Sequence, residues 1–175
     1  MQKKNSVSIN DKIEKFDKNI TVESDKSISH RSLLIASQCI GLSNIKNILE
    51  SDDIRNTIIC LKKLGVKILK KNRKYIVYGN GLGSFKKPKN NFLYAGNSGT
   101  LARMLFPLLG TQSNIKVKIA GDNSLNKRDM KRIIDPLSKI GCNFYPKNKA
   151  TLPLTIEGTS MPLAQKHLEK IGSAQ

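Results

Sequence analysis

The chain has no tryptophan, and its aromatic residues are four tyrosines and five phenylalanines, 5% of the sequence. Any core is therefore filled by aliphatic side chains, chiefly Ile and Leu. Such sparse aromatics, with no RNA-binding signature, also disfavour a nucleic-acid-binding module that stacks bases. No apolar run approaches the ~20 residues a membrane-spanning helix needs. The three cysteines, Cys39, Cys60 and Cys142, stand far apart, with no CxxC pair and no Cys/His cluster. That excludes a thiolate zinc site and a disulfide framework. Each lies in an apolar segment, so buried free thiols and a reducing compartment are expected. Residues 1–19 begin basic but carry no apolar stretch, which excludes a secretory signal and makes the cytoplasm the expected location.

Acidic residues are also scarce. Lys and Arg number 31 against 13 Asp and Glu, for a net charge of +18 over 175 residues. Such a field favours anionic partners: nucleic acid, acidic lipid or small phosphorylated molecules. The lysines are spread along the chain, and most of the excess reads as compositional. A few cations stand where they need a separate account.

Helices and strands alternate. Residues 1–19 form a polar lead-in, and 20–22 reads as a short strand. Ser27 to Gln38 reads as a helix and Asn44 to Leu49 as a strand. In SDDIRNTIICLKKLG, Ser51 suits an N-cap, Asp52 and Asp53 the first turn, and Gly65 the stop. Ile54, Ile58, Leu61 and Leu64 follow helical spacing. VKILKKNRKYIVYG then alternates as a hairpin turning near Asn72 and Arg73. LKKLGVKI (Leu61–Ile68) recurs as LSKIGCNF (Leu137–Phe144), 76 residues on. A unit of helix, glycine stop and hairpin is thus expected twice, about 51–79 and 127–158, as duplicated α/β subdomains. Pro136 conflicts with a straight helix in the second copy, so a kink or a later start is expected. Between the copies, Phe92 to Ala95 reads as a strand, residues 96–100 as a tight turn, Leu101 to Leu109 as a helix and Ile115 to Ala120 as a strand.

Three stretches put cations at helix mouths. In SDKSISHR, a helix starting near Ser27 turns its free N–H groups and positive dipole end outward. Ser27 and Arg31 share a face, and Lys26 sits ahead of the first turn. Together they suit a phosphate or a carboxylate. Equally, Ser27 caps the helix while Lys26 and Arg31 are solvated. His30 reads as a structural neighbour, not an acid or base. GNSGTLAR is a strand–glycine turn–helix with Asn97, Ser98 and Thr100 as donors and Arg103 one turn on. It has neither the GK[ST] ending of a Walker loop nor a GxGxxG pattern. An ordinary capped turn fits it as well. NKRDMKR places Arg128 after a Gly-Asp turn, where Lys127, Lys131 and Arg132 also read as a solvated face.

Order and spacing are more specific. DKSISHR, then GNSGTxxR about seventy residues on, then GDxSLxxR before a helix ending PLxxIG, resembles the enolpyruvyl transferase family from about Ile20 to Gln175. Within it, the chain is most similar to the 3-phosphoshikimate 1-carboxyvinyltransferases. The resemblance implies an α/β (α+β) fold of repeated βαβαββ-type subdomains in an inside-out α/β barrel, here an incomplete first globe over 20–175. Residues 1–19 would cross to a second globe that this chain lacks. The implied reaction moves the enolpyruvyl group of phosphoenolpyruvate to the 5-hydroxyl of shikimate 3-phosphate, with no metal and no organic cofactor. Carried over by motif, Lys26 would touch both substrates. Ser27, Arg31, Ser173 and Ala174 would hold shikimate 3-phosphate. Gly99, through its backbone, and Arg128 would hold phosphoenolpyruvate, and Gln175 would touch both ligands. A lysine crowded by arginines gives up its proton more readily, which makes Lys26 the candidate catalytic proton carrier.

The chain departs from the family at Glu23-Ser24, where a pair such as Pro-Gly is usual. Asp129, where Pro is common, puts a carboxylate beside an anion site. Family members are more than twice this length, monomeric, and take further catalytic groups from the second globe. The resemblance therefore implies an N-terminal portion without turnover. The sister enzymes that use UDP-N-acetylglucosamine share the fold but lack the SHR stretch. They also carry a loop cysteine that has no counterpart here. A basic nucleic-acid-binding module would also account for the charge, and a non-catalytic remnant would keep the same motifs.

Overall fold

The structure, a computed structural model, describes residue 17 and residues 22–72, 74–113, 115–164 and 166. The lead-in expected over 1–19, apart from Asp17, lies outside these residues. Of the strand expected at 20–22, only Val22 is described, and it is not in a strand.

Helix α1 spans Lys26–Gln38. Its cap is Asp25, whose carboxylate accepts the Ile28 N–H at 2.6 Å, not Ser27, which lies inside the first turn. Strand β1 (Ile40–Lys46) starts earlier than expected. Helix α2 (Asp52–Lys63) carries Asp52 and Asp53 in its first turn and Lys62 and Lys63 in its last, both favourable to the helix dipole. Ser51 occupies the N-cap position, but its hydroxyl is buried without a hydrogen-bond partner among the described residues. The expected side-chain cap is therefore absent. Strands β2 (Lys67–Lys71) and β3 (Lys74–Asn80) form the hairpin. Its turn includes Asn72 at φ 46°, and Arg73 lies outside the described residues.

Strand β4 (Phe92–Tyr94) leads into α3 (Gly99–Gly110), and β5 (Lys116–Ala120) follows. A 3-10 turn at Leu125–Lys127 precedes α4 (Lys131–Lys139), then β6 (Asn143–Tyr145) and β7 (Leu154–Glu157). Pro136 lies inside α4. The helix runs on through it, without the N–H that residue 136 would otherwise donate.

Among the described residues the strands form two sheets. The first has the order β1-β3-β2, all antiparallel. The second has the order β4-β5-β7-β6, with β4 parallel to β5 and the other pairs antiparallel. In each, a strand (β1 or β5) is followed by a helix (α2 or α4) and a hairpin whose second strand inserts beside it. One close contact also recurs. A Cβ on Gly79 would lie 2.3 and 2.2 Å from the carbonyl oxygens of Ala36 and Cys39, at the end of α1. A Cβ on Gly158 would lie 2.5 and 2.1 Å from those of Leu109 and Gln112, at the end of α3.

The core is aliphatic, as the composition requires. Leu33, Leu61, Leu64, Val77, Leu105 and Ile119 are wholly buried. Phe106 packs edge-on to Phe144, with ring centroids 5.7 Å apart. Cys60 and Cys142 are buried and Cys39 is exposed, so the expected burial fails at Cys39, which caps the end of α1. Burial raises the Cys60 thiol to about 11. Among the described residues, no helix is long and apolar enough to cross a membrane.

Candidate functional site

Three chain segments meet where α1 and α3 begin. The Ala95–Gly99 turn is fastened to the strand-end turn beside it: the Ala95 N–H donates to the Ala120 carbonyl and the Asp122 N–H to the Gly96 carbonyl, each at 2.8 Å. Asn126 closes the second turn, accepting the Gly121 N–H at 2.8 Å and donating back to the Gly121 carbonyl at 2.9 Å. Asp122 accepts the Leu125 N–H at 2.7 Å. These bonds give the GDxSLxxR spacing a physical reason, since they hold the short 3-10 turn that delivers Arg128 to the Gly99 turn.

The result is a depression of about 290 Å³ lined by Lys26, Asp53, Asn97–Thr100, Arg103 and Arg128. That is the size of a single small-molecule subsite. A Cβ on Gly99 would sit 3.1 Å from the Arg103 Nη1 and 3.1 Å from the Arg128 Nη1. The two guanidinium nitrogens are thus at most twice that distance apart. Their mutual repulsion is of order 0.7–3 kcal/mol, depending on how much water reaches them. Among the described residues, each is held by a neutral acceptor: Arg128 donates to Asn97 Oδ1 at 2.7 Å and Arg103 to the Asp129 carbonyl at 3.3 Å. Lys26 is paired with Asp53 at 3.1 Å. Three cations against one carboxylate leave the depression strongly positive. The helix α3 begins at its floor, with Ser98 accepting the Leu101 N–H at 3.2 Å.

Of the residues expected to bind ligand, Lys26, Gly99 and Arg128 are brought together. Arg31 is not among them. It lies exposed beside an apolar groove formed by Leu34, Ile35, Leu82, Met104 and Pro107. Ser27 is half-buried in the first turn of α1, with no hydrogen bond to its hydroxyl among the described residues. Ser173, Ala174 and Gln175 lie outside the described residues. The Gly99 N–H donates to the Asn97 carbonyl at 3.1 Å, so in this conformation Gly99 offers the depression its missing side chain more than its amide. Asp129 does not line the depression, and its carboxylate accepts the Lys131 N–H at 2.7 Å ahead of α4.

Two residues of the depression stand outside the ligand set that the resemblance implies. Arg103 is visible in the sequence as the cation one turn beyond the GNSGT turn, at i,i+4 from Gly99. Asp53 reads as a first-turn acid of α2, and nothing local in the sequence reports its partner 27 positions away. His30 reads in the sequence as a structural neighbour. It is wholly buried, with Nδ1 2.7 Å from Thr57 Oγ1 and Nε2 3.2 Å from Ser98 Oγ. Burial holds its pKa below the usual 6.5, with Lys26 adding to the shift and Asp53 opposing it.

A strand–turn–helix fold that gathers two guanidinium groups over a glycine, with no carboxylate paired to either among the described residues, has the charge and shape to suit a small, multiply charged anion. Residues 10–175 match the family model for EPSP synthase (3-phosphoshikimate 1-carboxyvinyltransferase). The 3-phosphoshikimate 1-carboxyvinyltransferase of Oenococcus oeni is 45% identical over 152 residues, covering 86% of this chain and 34% of that protein. That of Syntrophomonas wolfei is 38% identical over 154 residues, 87% of this chain and 36% of its relative. The solved EPSP synthase from Acinetobacter baumannii superposes with a TM-score of 0.80 at 34% identity, covering 89% of this chain and 36% of that one. The chain belongs to the EPSP synthase family and spans about a third of the length of the curated relatives it matches.

Proposed function

We propose that these residues form the part of a 3-phosphoshikimate 1-carboxyvinyltransferase that receives phosphoenolpyruvate. The reaction served is enolpyruvyl transfer to the 5-hydroxyl of shikimate 3-phosphate with release of phosphate. The observation that carries the reading is the convergence of Arg103 and Arg128 over Gly99, with Lys26 at the rim. Phosphoenolpyruvate carries a phosphate and a carboxylate close together, and two planar guanidinium forks match such a pair.

The chemistry asks little of a metal. Addition of the hydroxyl across the enol double bond gives a tetrahedral intermediate, and loss of phosphate restores the double bond. What a protein supplies is alignment, neutralisation of charge and a proton. Arg103 and Arg128 would hold the phosphate and carboxylate, while Lys26, next to Ser27 at the start of α1, would face both substrates. The Lys26–Asp53 contact keeps the ammonium at the rim, in reach of a bridging or leaving oxygen. Shikimate 3-phosphate would lie toward Ser27 and Arg31, with Ser173, Ala174 and Gln175 as further ligands. Location in the cytoplasm and a monomeric full-length form belong to the same proposal.

The test is a titration of the 175-residue chain with phosphoenolpyruvate, followed by amide NMR. Shifts confined to Asn97–Arg103, Arg128 and the start of α1 are expected. Shifts spread over the basic surface, reproduced by any polyanion, would overturn the reading. With both substrates present, the chain alone is expected to release no phosphate above blank.

A further inference from the structure

Every bond around His30 can be given a direction. Thr57 Oγ1 lies 3.1 Å from the Asp53 carbonyl, to which only its own proton can donate. With its proton so placed Thr57 accepts from His30, and Nδ1 carries the hydrogen. On the other side, Ser98 Oγ already accepts the Leu101 N–H. Its own proton is free for Nε2, which must be bare. The sequence Leu101 N–H to Ser98, Ser98 O–H to Nε2, Nδ1–H to Thr57, Thr57 O–H to the Asp53 carbonyl satisfies every member at once. The opposite tautomer leaves the Ser98 hydroxyl, on a residue 2% exposed, without an acceptor among the described residues. This line of bonds runs through α1, α2 and the turn before α3. It starts at the N–H beside the floor of the depression and ends on the residue that pairs with Lys26.

We propose that His30 is the positioning residue of the anion site: as the neutral Nδ1–H tautomer it fixes the Ser98–Gly99 turn against α1 and α2. It thereby sets where Gly99 lies beneath the two guanidinium groups. The proposal deepens the phosphoenolpyruvate reading and rests on it for the identity of the ligand. A second proton on His30 directs an N–H at Ser98 Oγ, which must turn its own hydrogen away and loosen its hold on the turn. The charged groups facing the ring are Lys26 from α1 and Asp53 from α2, and from the α3 side it meets the uncharged Ser98. The new charge on the ring attracts an anion, but the loosened turn removes direct contacts at Gly99. The second effect is the larger in this proposal, so anion affinity falls with falling pH as His30 protonates, on top of any change in the anion itself.

The experiment is NMR on the 175-residue chain. It has two histidines, His30 and His167, so loss of one ring signal in His30→Asn assigns the other. Sulfate is the probe for the pH series because its charge does not change over the range used. Expected are an Nδ1–H, bare-Nε2 ring at neutral pH and a Gly99 amide that moves in step with His30 protonation. A sulfate affinity about fivefold weaker once His30 is charged is also expected. In His30→Asn the affinity is already reduced and no longer follows pH. Ser98→Ala cuts the same link from the other side and serves if His30→Asn does not fold; there the Gly99 amide stops tracking His30. An Nε2–H ring, a Gly99 amide indifferent to His30, or an unchanged pH dependence in both variants would overturn the proposal. Phosphoenolpyruvate at pH 7.5 separates the two ideas. If it leaves Gly99 and Arg128 unmoved while Gly99 still tracks His30, the ligand reading fails and the positioning role stands.

Discussion

An alanine at position 99 would bring a methyl group to 3.1 Å from the ends of two arginines. Those ends are flexible and shift by a few tenths of an ångström, so the fold tolerates the change. Gly99 opens α3, and alanine has the better helix propensity, so stability is expected to stay level or rise by up to ~0.5 kcal/mol. The guanidinium forks, however, lose their spacing. Gly99→Ala is expected to weaken phosphoenolpyruvate about tenfold, ~1.4 kcal/mol, with an unchanged or higher melting temperature; a calorimetric titration beside a thermal melt checks both. Arg128→Ala removes a charged donor and is expected to cost ~1.5–3 kcal/mol of binding. His30 gives a stability prediction of its own. Its folded pKa lies below its ordinary value of 6.5, so under acid the unfolded chain takes up a proton that the folded chain refuses. The stabilisation is present above about 6.5 and is lost as pH falls through the lowered value, with a slope of at most ~1.4 kcal/mol per pH unit. Urea melts between pH 7.5 and 5 should show this slope, and His30→Asn should flatten it.

At the scale of elements, α1 and its cap repay comparison with sequence. The hydrophobic spacing and the Gly65 stop make α2 and its hairpin legible, because each signal is local. The start of α1 is legible to within one residue, yet its cap goes to Asp25 and not Ser27, since both types cap equally well and only the entry of the chain decides. Ser51 shows the converse: a good capping residue in the capping position whose hydroxyl caps nothing. The positions of Lys26, Gly99 and Arg128 in one depression follow from strand pairing over long separations, which no local pattern records; the motif order carries that information instead. Arg31 departs because it lies five residues beyond Lys26 on α1, which turns it well away from Lys26 around the helix axis. Asp25→Ala is expected to cost ~1 kcal/mol. Gly79→Ala, where the new methyl meets two backbone oxygens, is expected to cost ~3 kcal/mol or more. Denaturant midpoints of the two variants should rank in that order.

For the molecule as a whole, the net charge of +18 acts on any anion that approaches, but it acts through water and salt screens it. The depression adds short-range contacts that salt screens less. From 0.01 to 0.1 M salt the screening length falls from about 30 to about 10 Å. Phosphoenolpyruvate affinity is expected to drop about fivefold over that range and then level off. A fall that continues steeply into higher salt would mean that the general field, and not the Arg103–Arg128 pair, holds the ligand.

The twin contacts at Gly79 and Gly158 reach beyond stability. In the first the backbone of β3, and in the second the residue just past β7, rests directly on carbonyls at the end of the helix whose opposite end faces the depression. A side chain of any kind at either place would act as a shim, tilting the whole rod and swinging its far tip. Two hydrogen atoms, remote from the depression, thus help to set the aim of both cation-bearing helix mouths.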